Sequence, residues 1–239
     1  TSDDFFAALA KAANDPRIVP AMRSFVEQQG VPLLVFQRQG NRMVVGQMRY
    51  APLGVTAPDT RWIMPVCVRQ GTVSECKMLD GRSTSFEISG AQPFVPNEWG
   101  VGYYRFELPR RDWATLITNA GALTAGEAMA VADSLYASVL AGRGTVDELA
   151  RLSQSLSKHK ERRGAFAADV AIGKLVRLGV VDSLGRMGWG RLRQRLYADK
   201  LKEYGFDPRA GAYAKESPAR TQWRQSLVTT LLGTVRGAK

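Results

Sequence analysis

The sequence predicts a mixed fold, strands first and helices after: a small β-sandwich followed by an all-helical bundle or α-solenoid. Three observations carry this. Between residues 33 and 108, short runs rich in Val, Ile, Phe and Tyr recur at hairpin spacing, bounded by Gly, Pro, Asn and Asp. After Pro109 the apolar period changes from two to 3.6. The length, 239 residues, exceeds the about 100 to 150 residues of an ordinary domain, so two units are expected.

Residues 2–29 read as two helical pieces. Phe5, Phe6, Leu9 and Ala13 share one face, Asn14-Asp15-Pro16 breaks it, and Met22, Phe25, Val26 and Gln29 resume it, with Gly30 as the expected C-cap. Strands are expected over 33–37, 42–50, 61–69, 73–79, 84–88 and 101–108. Six or seven strands with no helix between them bury one face most simply as a sandwich or a partly closed barrel. In the second half, Thr124-Ala-Gly-Glu127 and Thr145-Val-Asp-Glu148 are capping boxes that open two helices, the first closed by Gly142. Further helices are expected over 166–178 and 192–204, the latter ending at Gly205, and after Ser217-Pro218 with Trp223, Leu227 and Leu231 inside.

Composition is that of a globular protein, 45% hydrophobic and 23% charged. No apolar run approaches the roughly 20 residues of a membrane-spanning helix. The single histidine, His159, removes the histidine-based zinc sites, which need two or more. Its surroundings, Lys158-His159-Lys160-Glu161-Arg162-Arg163, read as a solvated charge run and make it a surface residue. Phosphate-binding loops are absent too: Gly173-Lys174 lacks the upstream glycine and the following Ser or Thr. No catalytic, cofactor-binding or metal-binding residue is therefore assigned. The charge is uneven, with 12 Lys and Arg against 10 Asp and Glu in residues 1–110, and 21 against 12 in 111–239. A basic half is compatible with nucleic acid, but the cations lack aromatic interleaving and a basic tail. No nucleic-acid partner is expected.

The two cysteines are placed by hairpin arithmetic. Gly71, as the first central residue of Gln70-Gly71-Thr72-Val73, signals a type II′ turn that sets Gln70 opposite Val73. Counting outward, Cys67 faces Cys76 at a non-hydrogen-bonded position, within disulfide reach. The alternative is a turn one residue longer, or two reduced thiols on a buried face. A bridge implies an oxidising compartment, a periplasm or the exterior.

Five landmarks in order resemble the aminopeptidase N family of zinc metallopeptidases. They are Gly30-Val-Pro-Leu-Leu-Val-Phe36, Gln47-Met-Arg49-Tyr50, Trp62-Ile-Met-Pro65-Val66, Gly102-Tyr103-Tyr104-Arg105 and Asp112-Trp113-Ala-Thr-Leu116. Asp133 stands where the family's first long helix keeps an aspartate, and 201–208 with 217–227 resemble a later helix pair. The resemblance implies that 1–29 are the terminal helices of a truncated catalytic domain, 30–110 a β-sandwich domain and 111–239 a helical domain, itself truncated. The zinc-holding H-E-x-x-H and the substrate-holding G-x-M-E-N of the family do not occur. Together with the opening Thr-Ser-Asp-Asp-Phe, this makes the chain an expected piece of a longer protein whose zinc, catalytic residues and catalytic domain lie elsewhere. The resemblance further implies a helical bowl that admits peptides to the parent's active site. Arginine matches a peptide's terminal carboxylate with two parallel hydrogen bonds, and Arg191, Arg193, Arg195, Arg220 and Arg224 are the candidates by type and clustering. The alternative expectation is a free-standing scaffold that binds a protein partner.

Overall fold

The computed structural model describes residues 1–88 and 92–235. Two helices open it, α1 (Ser2–Ala13) and α2 (Ile18–Val26). Thr1 and Asp4 form a capping box at the start of α1, and Asn14 ends that helix in the left-handed region at φ 51°, where the sequence places the break. α2 stops at Val26, short of the expected cap. Gly30 instead serves the turn into the first strand, with φ 111° and an Arg49 side chain so close that a Cβ would stand 2.5 Å from its Nε.

Seven strands follow: β1 (Pro32–Gln39), β2 (Arg42–Arg49), β3 (Met64–Gln70), β4 (Val73–Leu79), β5 (Ser83–Glu87), β6 (Phe94–Val95) and β7 (Arg105–Glu107). They make two small sheets, ordered β5-β2-β1-β7 and β4-β3-β6. All pairs are antiparallel except β1 with β7. The inner faces share one core, in which Phe36 meets Phe94 with ring centroids 5.5 Å apart. Alternation aims Met64, Val66 and Val68 of β3 inward.

Two expected strands are shorter than the hydrophobic runs suggest, because side chains intercept the backbone. The Trp62 N–H donates to Gln47 Oε1 at 2.8 Å and the Ile63 N–H to Ser24 Oγ at 3.1 Å, which keeps 61–63 out of the ladder. Asn97 brackets Gly102 in both directions, accepting from its N–H and donating to its carbonyl at 2.9 Å each, so pairing begins only at Arg105.

The hairpin register is the one the turn dictates. Gln70 lies opposite Val73 and Cys67 opposite Cys76, Gly71 has φ 59°, and the Cys67–Cys76 disulfide is formed.

Six helices complete the described chain: α3 (Arg110–Thr118), α4 (Ala125–Leu140), α5 (Val146–Leu156), α6 (Arg162–Arg177), α7 (Ser183–Tyr204) and α8 (Pro218–Val235). Both expected capping boxes are present, Thr124 with Glu127 and Thr145 with Glu148. α7 starts nine residues earlier than its apolar pattern suggests. Asp182 caps it, accepting from the Gly185 N–H at 2.7 Å, while Gly185, Gly188 and Gly190 dilute the periodic signal. The main core runs without interruption from the sheets into α3–α6, and a second cluster of Phe166, Tyr197, Trp223, Leu227 and Leu231 joins α6 to α7 and α8.

The reading of His159 as a surface residue is overturned. Its ring is 8% exposed and lies against Gly164, where a Cβ would meet Nδ1 at 2.6 Å. Nδ1 accepts from the Glu161 N–H at 3.0 Å, which puts the proton on Nε2, and Nε2 donates to the Leu123 carbonyl at 2.9 Å. Lys158 and Lys160 on either side are exposed while the ring between them turns inward and ties its own segment to the Leu123 loop.

Thiol titration of denatured, unreduced protein is expected to find no free thiol. Replacing both cysteines by serine should lower stability by about 2 to 3 kcal/mol in denaturant unfolding, the scale for closing so short a loop.

Candidate functional site

Where the sheets meet the helices, a cleft of about 310 Å³ opens between the Asn97–Arg105 segment and α4. Gly102, Tyr103, Arg105, Met129 and Asp133 are among the residues lining it. Arg105 Nε donates to Asp133 Oδ2 at 3.0 Å, and the guanidinium lies over the Tyr50 ring, 4.4 Å from its centroid. The Tyr50 hydroxyl in turn donates to the Ala137 carbonyl on α4 at 3.0 Å. Tyr50, Arg105 and Asp133, far apart in sequence, thus form one contact chain from the end of β2 through β7 to α4.

The cleft's far wall rests on Glu127. This carboxylate is fully buried, yet it receives Arg69 Nε at 2.8 Å, Arg69 Nη2 at 2.6 Å, the Thr124 N–H at 2.9 Å and the Trp99 N–H at 3.3 Å. Burial alone would raise its carboxyl; the Arg69 guanidinium and the two N–H groups outweigh that and hold it below the usual carboxylate range. Trp99 itself sits in the left-handed region, φ 57°, with its ring 62% exposed. Such a conformation persists only where its surroundings over-determine it. Here they do: Gly100 and Gly126 pack backbone to backbone, and a Cβ on Gly126 would stand 2.0 Å from the Trp99 carbonyl oxygen. Sequence reasoning found the Thr124–Glu127 box but neither the Glu127–Arg69 pair nor the reason for Gly126, since both depend on what β3 and residues 97–100 bring alongside.

The five arginines do not form one cluster. Arg193 donates to Asp169 through Nε at 2.7 Å and Nη2 at 2.8 Å and stacks on Trp189, 3.3 Å from the ring centroid. Trp189 Nε1 donates to the same carboxylate at 2.9 Å. Arg224 pairs bidentately with Glu216, donates to the carbonyls of Tyr204 and Gly205, and lies over Tyr213. That guanidinium holds Glu216 below the usual carboxylate range. Both arginines, Arg224 buried and Arg193 half-buried, are staples engaged with partners inside the fold, which removes them from the candidates for ligand contact. Arg220 is half committed, to Glu216 at 3.0 Å and the Glu203 carbonyl at 3.2 Å. Arg191 and Arg195 are exposed and have no ion-pair partner among the described residues. Nine residues of helix, about 14 Å of rise, separate Arg195 from Tyr204, on whose ring Arg220 stacks.

Among the described residues no group of three or more His, Cys, Asp or Glu converges as a metal site. The zinc of the resembled family does not fit the donors present: both nitrogens of the one histidine are engaged and both cysteines are bridged. No helix among the described residues is long and apolar enough to cross a membrane. No family model matches the chain, and no curated protein matches it.

Two outcomes follow from these contacts. Because the folded-state pKa of Glu127 is depressed, the stability it contributes is complete above the unfolded value of about 4.3 and is lost as pH falls through the folded one. Thermal melts from pH 7 to pH 3 should show Glu127→Gln less stable at neutral pH, by up to roughly 3 kcal/mol, and less sensitive to acid than the parent. Arg193→Ala strands Asp169 in the core and should lower stability by about 3 to 5 kcal/mol. Arg195→Ala should stay within about 0.5 kcal/mol of the parent in the same denaturant titration.

Proposed function

We propose that this chain is the non-catalytic C-terminal part of a zinc aminopeptidase that removes N-terminal residues from peptides. The reading assigns the two sheets to a β-sandwich bracing a catalytic domain, with α1 and α2 as that domain's last helices. It assigns α3–α8 to the first part of a helical bowl or α-solenoid that governs peptide access. The observation that supports it best is the convergence of Tyr50 and Arg105, from two of the landmarks, with Asp133, from the helical part of the resemblance, into one contact chain. On this reading Arg191, Arg195 and Arg220 retain the capacity to meet a peptide's terminal carboxylate, whereas Arg193 and Arg224 hold the fold. The disulfide fits an oxidising location, periplasmic or secreted.

A second reading, a free-standing scaffold for a protein partner, is favoured by the exposure of Trp99, Val101 and Tyr103 beside the cleft.

The gene separates the two. The reading frame through residue 1 is expected to continue upstream across an H-E-x-x-H helix; a stop codon followed by an initiator methionine at this point would sink the peptidase reading and leave the scaffold. In the full-length enzyme, peptides with a free terminal carboxylate should show a KM about tenfold below that of their amides, and Arg195→Ala with Arg220→Ala should erase the difference at unchanged kcat.

A further inference from the structure

The corner that joins α6 to α7 combines an exposed apolar stretch, which the peptidase reading leaves unused, with a run of cations of which that reading uses only Arg191 and Arg195. Leu178, Val180, Leu184 and Met187 are 49% to 74% exposed within ten residues of chain. Leu178 caps α6, Val180 follows Gly179 in the turn, and Leu184 and Met187 are three apart near the start of α7, hence on one face. They make this corner an apolar tip of four exposed side chains close together in the chain. Between residues 174 and 195 the chain carries six cations, Lys174, Arg177, Arg186, Arg191, Arg193 and Arg195, against one acid, Asp182. Asp182 serves as the α7 cap and Arg193 is paired with Asp169. Arg177, Arg186 and Arg191 are exposed and have no ion-pair partner among the described residues. Lys174, in the last turn of α6, is also exposed and lies over the Tyr136 ring.

We propose that this corner docks on an anionic phospholipid surface, its apolar tip entering the headgroup boundary and the surrounding cations meeting lipid phosphates. Both halves of that chemistry are needed. Apolar side chains gain free energy by leaving water, and cations near the surface gain it from the negative leaflet. The long aliphatic stems of Arg177 and Arg186 let their charged heads stay at phosphate level while the tip lies deeper. An apolar tip suits a deformable lipid boundary, and the net charge of +4 that 174–195 keep once Arg193 is set against Asp169 selects an anionic one.

Co-sedimentation of the purified chain with sucrose-loaded vesicles tests this, with phosphatidylcholine alone compared with phosphatidylcholine containing phosphatidylglycerol. Binding is expected only to the anionic vesicles, and it should weaken as salt is raised from 0.05 to 0.5 M, through the range where the Debye length shortens past about 10 Å. Arg177→Gln with Arg186→Gln should lower the partition coefficient by about thirtyfold. Leu184→Ser with Met187→Ser should abolish binding while leaving the thermal melt unchanged, since both side chains are exposed. A fluorophore at residue 184 should shift to the blue on anionic vesicles alone. Failure of the parent chain to sediment at millimolar lipid overturns the proposal. So does equal binding to neutral vesicles, or concentration-dependent dimerisation that the Leu184 and Met187 changes remove, which would make the tip a protein contact instead.

Discussion

The fully buried carboxylate of Glu127 is the constraint on which the junction of sheets and helices depends. It closes the first turn of α4, neutralises Arg69 on β3 and holds the Trp99 N–H, so three segments of chain converge on one charge. Taking a carboxylate out of water is strongly unfavourable, and only the four donors around it make the site stable. The same arrangement forces the backbone of residues 99–100 against Gly126, with no room for a side chain on either side. The αL conformation of Trp99, its exposed ring and one wall of the cleft all follow from that contact.

Charge is used in the same way further along the helices. Although the second half is strongly basic, several of its arginines serve as internal staples. Arg193 anchors Asp169 beside Trp189, and Arg224 ties α8 to the end of α7 and to Glu216. A planar guanidinium that stacks on an aromatic face and donates two parallel hydrogen bonds is suited to that task. The surplus that gives the region its field is a smaller set, Arg177, Arg186, Arg191 and Arg195 with Lys174, all of them exposed on α6 and α7. Net charge alone therefore overstates how many arginines are open to a ligand.

Local rules made much of the chain legible. Thr124–Glu127 and Thr145–Glu148 read as capping boxes because a box is specified within four residues, and the Cys67–Cys76 pair followed from Gly71 because a two-residue turn fixes every pairing beyond it. Where the reading missed, a distant group had intervened. Gln47 and Ser24 withdrew residues 61–63 from strand pairing, Asn97 did so for 101–104, and glycines hid the first two turns of α7. His159 misled for a related reason: four cations flank it in sequence, but the ring turns inward to the distant Leu123 carbonyl and to the Glu161 N–H of its own segment.

Sequence by itself determined the order of strands then helices, the hairpin register with its disulfide, and the two helix starts marked by capping boxes, since each is governed by groups a few residues apart. Tertiary structure alone decided which of five similar arginines became a staple and which stayed open, that Glu127 serves β3 as well as its own helix, and that Tyr50, Arg105 and Asp133 meet. Those outcomes depend on which buried carboxylate, carbonyl or ring the folded chain presents to a side chain from a segment tens of residues away, and no local pattern encodes that partner.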